Sequence, residues 1–146
     1  MPIELVNEAN RLGLPVLFCS FNSELKGLYT GGQEPAVIIN DSIRTDIPLL
    51  RCVLAEEIGH HYTSVGFGFP SPYRINQTHL EIIRGENSAW RWAATRLIPT
   101  KKLIQSVRKG ITDPWDLADH FRVVEPMIHF RLEIYKRRDI YDHTCV

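Results

Sequence analysis

Leu54-Ala55-Glu56-Glu57-Ile58-Gly59-His60-His61 is the stretch on which the reading of this chain turns. Apolar residues at Leu50, Val53, Leu54 and Ile58 recur with helical spacing, which predicts a helix from about Pro48 to Thr63. Asp46 or Thr45 can cap it, and Pro48 is tolerated in a first helical turn. On such a helix Cys52, Glu56 and His60 fall at i, i+4 and i+8, on a stripe apart from the apolar face. Gly59 costs roughly 1 kcal/mol relative to alanine in a helix interior, so close approach by a strand or a substrate backbone is the expected compensation.

The stripe has the spacing of a metal-binding helix. In the H-E-x-x-H pattern two ligands stand one turn apart and the glutamate beside the first serves as the base. Here Glu56 takes the first ligand slot, His60 the second, and Glu57 the place of the base. The same acid-to-histidine spacing recurs at Asp116/His120 and Glu125/His129, and a second register, Glu57/His61, overlaps the first, so spacing alone also fits a solvated helix face at Glu56/His60. His61 lies about 100° round the helix from His60 and is expected to support the site or face substrate rather than ligate. His79 is expected to be a helix-start residue, Cys52 a buried structural thiol, and Trp90, Trp92 and Trp115 packing residues. Tyr62, Tyr73 and Arg74 are all candidates to stabilise an oxyanion, and the sequence selects none of them.

Composition narrows the class. With 146 residues, 44% of them hydrophobic, the chain can bury a core without a metal as a staple. Seventeen basic residues balance 17 acidic ones, which argues against electrostatic coating of nucleic acid or membrane. A mild positive excess lies in residues 101–138, with 9 basic and 5 acidic side chains. The cysteines, Cys19, Cys52 and Cys145, are scattered and lack a C-x-x-C pair, as reduced cytoplasmic thiols would be. No signal peptide or membrane span is legible, so a soluble, cytoplasmic protein is expected.

Outward from the motif helix, residues 2–12 read as an amphipathic helix stopped at Gly13. Pro15–Cys19, Lys26–Gly32 and Pro35–Asn40 read as strands, the last two joined as a hairpin at the glycine pair. A small, mostly antiparallel sheet is expected. Residues 64–77 read as a loop, and Thr78-His79-Leu80-Glu81 as a capping box opening a helix that runs to Ile98. Shorter helices follow at Thr100–Lys109, from Asp113-Pro114, and from Glu125-Pro126 to about Arg138. The junction Arg122-Val123-Val124 has helix-turn-helix character beside Lys136-Arg137-Arg138, but at neutral net charge direct nucleic-acid binding is not expected.

These residues together resemble the ImmA/IrrE metallopeptidase family. The resemblance runs through Lys26-Gly27-Leu28-Tyr29, the strand ending Ile38-Ile39-Asn40, the segment Ala55-Glu56-Glu57-Ile58-Gly59-His60, and Glu86 with Ala89, Trp92-Ala93-Ala94 and Leu97-Ile98-Pro99. It continues through Leu117-Ala118-Asp119-His120-Phe121-Arg122-Val123 and Arg131-Leu132. It implies an α+β, zincin-like metallopeptidase core at 1–99 with a C-terminal helical extension, helix-turn-helix-like, packed on it at 100–146. It also implies a prophage-type, zinc-dependent peptidase that cleaves or inactivates a helix-turn-helix repressor of a phage or mobile element. Glu57 is then the catalytic base, and Glu56, His60 and Glu86 the metal ligands. The alternative within the same fold is a catalytically weak or inactive protein that binds and sequesters the repressor.

Glu56 departs from the family's usual histidine, with chemical consequences. Zinc accepts carboxylate oxygen. Two glutamates and one histidine cancel the charge of a divalent cation, so the activated water is expected to be less acidic than with two histidines. The oxygen-rich set also suits Mn2+ or Fe2+. Without a cation, Glu56, Glu57 and Glu86 would crowd three carboxylates, a repulsion that a proton or a metal must relieve.

Overall fold

The computed structural model describes residues 1–22, 24–63 and 79–144; the side chains of 79–86 and 138–144 lie outside the description. The chain is α+β, with six α-helices and one three-stranded sheet among the described residues. Helix α1 (Ile3–Arg11) leads into β1 (Val16–Cys19), β2 (Gly27–Thr30) and β3 (Ala36–Asn40). A 3-10 turn at Asp41–Ile43 precedes α2 (Ile47–Thr63), and α3 (His79–Leu97), α4 (Thr100–Arg108), α5 (Pro114–Phe121) and α6 (Glu125–Thr144) complete the chain. The loop expected over 64–77 and the capping residue Thr78 lie outside the described residues.

The sheet is mixed, which corrects the expectation of a mostly antiparallel one. The glycine pair makes the β2–β3 hairpin, with Thr30 opposite Ala36 and Gly32 at φ +92°, a left-handed conformation that favours glycine. β1, however, pairs in parallel with the other edge of β3, in the order β1-β3-β2. The reason lies at the C-terminal end of β3. The segment from β1 to β2 crosses past that end, and buried Asn40 ties it there, its Nδ2 donating to Phe21 O at 3.3 Å and Leu25 O at 3.0 Å. The most apolar strand thus takes the centre, with Val37 and Ile39 fully buried on its inner face.

Helix α2 starts where its cap dictates. Asp46 accepts from the Leu49 N–H at 3.3 Å through its side chain, and Pro48 occupies the first turn. The helix is buried on nearly every side: Leu50, Leu54 and Ile58 meet the core, and Ala55 and Gly59 are buried as well. Helix α1 is tied to α2 by the Glu4–Arg51 ion pair and to α3 by Glu8–Arg96 at 2.8 Å.

One buried apolar cluster includes Leu5, Ile39 and Leu54 together with Leu103, Leu117 and Met127 from beyond residue 99. Arg131 fastens the later helices to the earlier ones. It is 3% exposed, and it donates from Nε to Ile98 O at 2.8 Å and from Nη2 to Thr100 Oγ1 at 2.7 Å, satisfying a carbonyl at the end of α3. Arg131→Met keeps the aliphatic stem but leaves that carbonyl without its donor, and is expected to cost about 2 kcal/mol. Urea unfolding would check it, and an unchanged midpoint would contradict the assigned role.

The Arg122-Val123-Val124 junction is plugged into the core. Arg122 closes α5 in the left-handed region at φ 57°, Val123 is buried, and the Val124 N–H donates to Cys52 Sγ at 3.5 Å. Trp115, expected to pack, is instead 66% exposed: it lies in the first turn of α5, where the Asp113 cap takes its N–H at 2.8 Å. No helix among the described residues is long and apolar enough to cross a membrane.

Candidate metal and acid-base site on helix α2

Contacts along α2 resolve into two directions. Val53 and Glu57, one turn apart, face Gly27 of β2: a Cβ placed there would stand 2.5 Å from Val53 Cγ1 and 3.1 Å from both Glu57 Cγ and Oε1. The next residue of that stripe, His61, meets Tyr29, two positions along the same face of β2. On another side Gly59 abuts α3, where a Cβ would stand 2.7 Å from Ala89 O. Tyr62 stacks on Trp92 of α3 at 4.9 Å. Successive helical residues turn by about 100°, so the Glu56–His60 stripe points between the β2-facing and α3-facing sides.

Both glycines follow from close approach. Gly27 leaves room for the Glu57 carboxylate against the strand, and Gly59 lets two helix backbones touch. The compensation expected for Gly59 was a strand or a substrate backbone; the structure supplies the backbone of α3 instead. Ala89, Ala93 and Ala94, all fully buried, keep α3 narrow along its buried side.

The candidate residues are placed as follows. Glu57 is 7% and His60 5% exposed, and Glu56 is half-buried. Glu86 belongs to α3, three residues before the Ala89 that touches Gly59, so its turn lies about 5 Å along the helix from that contact. The Glu86 side chain, the fourth member of the proposed set, lies outside the described residues, as do the side chain of His79 and the residues Tyr73 and Arg74. Among the described residues no three His, Cys, Asp or Glu side chains converge as a metal cluster. The fit to a cation can be judged on the donors present: buried His60 and half-buried Glu56 one turn apart, with the Glu57 carboxylate packed against Gly27 of β2. Such a set suits a divalent ion taking nitrogen and oxygen ligands.

The acid–histidine pairs outside α2 lie on the surfaces of α5 and α6. His129 Nε2 lies 3.0 Å from Glu125 Oε1 on the surface of α6, and His120 packs its ring edge-on to Phe121. Cys52 is the buried thiol that was expected. Burial pushes it from an ordinary 9.0 up to about 11, against the Val124 N–H, which lowers it, while the nearby Glu56 charge raises it further. The folded state therefore favours the neutral thiol. That contribution is complete below about pH 9 and is lost as pH rises through about 11. Wild type is expected to lose about 2 kcal/mol more stability than Cys52→Ala between pH 8 and pH 11. Denaturant unfolding at the two pH values reads the difference, and parallel losses would contradict it.

Sequence reasoning missed Tyr29 and the role of Gly27. Tyr29 is 7% exposed, burial raises its phenol, and its Oη lies 2.8 Å from His61 Nδ1. The available signal was the match of two periods: Gly27 and Tyr29 two apart on a strand, Glu57 and His61 four apart on a helix. Nothing in the sequence said that these two stripes meet. In comparisons with known proteins, no protein-family model and no curated protein matches this chain.

Proposed function

We propose that this chain is a zincin-like, metal-dependent peptidase of the ImmA/IrrE type, whose substrate is a helix-turn-helix repressor of a phage or mobile element. The observation that carries the proposal is the placement of Glu56, Glu57 and His60 on buried α2, which packs against strand β2 and helix α3. Glu56, His60 and Glu86 would hold the metal, with Zn2+ favoured and Mn2+ or Fe2+ compatible with the oxygen-rich set. Bound there, the metal supplies Lewis-acid polarisation of the scissile carbonyl and makes water a better nucleophile.

The chain's own residues do the rest. Glu57, fixed against Gly27, takes a proton from the attacking water as its oxygen adds to the peptide carbon. When the C–N bond breaks, Glu57 returns that proton to the leaving amine. Among the described residues β2 lies at the sheet edge, where an extended peptide could be laid along it beside Glu57.

A second reading rests on Glu56 itself. Carboxylate in place of imidazole would neutralise the metal and weaken its activation of water, so the same site could hold a repressor without cutting it. The test is to incubate the zinc-loaded chain with a panel of mobile-element helix-turn-helix repressors and read intact masses. The peptidase reading expects one repressor cut at a single bond, with no cut by Glu57→Gln. Tight binding with every repressor left intact would overturn it in favour of sequestration.

A further inference from the structure

We propose that His61 is the hydrogen-bond donor that receives a backbone carbonyl of the bound peptide, and that Tyr29 is the positioning residue that makes it one. The inference rests on the peptidase reading above and names a group that the motif itself does not include.

His61 stands one residue after His60 and one turn after Glu57, on the stripe that faces β2. Its ring is held from two sides. Tyr29 meets it edge-on with centroids 5.7 Å apart, and Tyr62 meets it at 6.2 Å. Tyr62 in turn stacks on Trp92, so an aromatic series links β2, α2 and α3. The imidazole itself is half-buried, leaving part of it accessible to a ligand.

The Tyr29 contact selects the tautomer. Tyr29 Oη lies 2.8 Å from His61 Nδ1, and the phenol is assigned here as the donor of that hydrogen bond. Burial also disfavours the phenolate, keeping the proton on Tyr29. With Nδ1 accepting from the phenol, the ring's N–H donor is at Nε2. The far side of the ring is then an N–H donor, pre-oriented by packing. Such a donor strengthens as negative charge grows on a carbonyl oxygen under attack, and little reorganisation is needed at that moment.

The test uses the zinc-loaded full chain and a phosphinic peptide, whose tetrahedral oxygens stand in for those of the attacked carbonyl, titrated by calorimetry. Kd is expected to rise about tenfold in His61→Ala and several-fold in Tyr29→Phe, with zinc content unchanged. His61→Gln, which keeps an N–H donor, is expected to recover most of the affinity. Nitrogen-15 NMR of labelled histidine is expected to show His61 as the Nε2–H tautomer in wild type and as a mixture in Tyr29→Phe. Probe binding that is equal in wild type and His61→Ala, or a wild-type Nδ1–H tautomer, overturns the inference and leaves the peptidase reading standing. Failure of the wild type to bind the probe overturns both.

Discussion

Replacing Glu57 by glutamine is expected to lower peptide cleavage by about 10²–10⁴-fold while metal content and thermal stability stay at wild-type values. Glutamine has nearly the same shape, so it fills the space beside Gly27, where the Glu57 carboxylate now packs. It lacks the basic oxygen needed to take a proton from water. Because Glu57 faces β2 while Glu56 and His60 lie about 100° and about 60° round the helix from it, the variant removes the base without removing a ligand. Steady-state kinetics on the cleaved repressor, together with metal analysis, would read both. A Glu57→Gln protein that still cuts at a tenth of the wild-type rate would show that another group is the base.

The largest effect on stability is expected at Gly59. A Cβ there would stand 2.7 Å from the Ala89 carbonyl oxygen, and the obstacle is backbone rather than a movable side-chain tip. Gly59→Val must therefore push α3 away from α2, at a cost of about 3 kcal/mol, the upper end for overpacking. For a chain of this size that corresponds to a fall in melting temperature of roughly 10 °C. The displacement would also carry the Glu86 turn away from His60, so metal affinity should fall with stability. Gly59→Ala should show a smaller loss, since alanine recovers helix propensity. A Gly59→Val protein as stable as wild type would mean that the two helices are not in backbone contact.

Local chemistry was the legible part of the fold. Asp46 and Pro48 announced the start of α2, Gly13 the end of α1, and the glycine pair the β2–β3 hairpin, because each acts through its own backbone or its near neighbours. Strand order was not legible. Whether β1 joins β3 in parallel depends on how Asn40 anchors the crossing segment, a contact between residues some 15 to 19 positions apart that leaves no mark on periodicity. The end of α6 was also missed: the helix continues to Thr144, since nothing at Arg138 breaks it.

The candidate site divides in the same way. Glu56, Glu57 and His60 could be named from spacing, since one helix fixes their mutual placement. Gly27 and Tyr29 could not, because their meaning comes from a helix packed against them. Gly59 was legible as an anomaly, and its partner was not.

The central claim is that Glu56, His60 and Glu86 form one metal site, and metal stoichiometry tests it most directly. Elemental analysis would be run on protein purified without chelator or affinity-metal resin, beside Glu86→Ala. About one zinc, manganese or iron per chain, lost in the variant, is the predicted result. A wild-type chain that holds no metal after incubation with each of these ions would contradict the account.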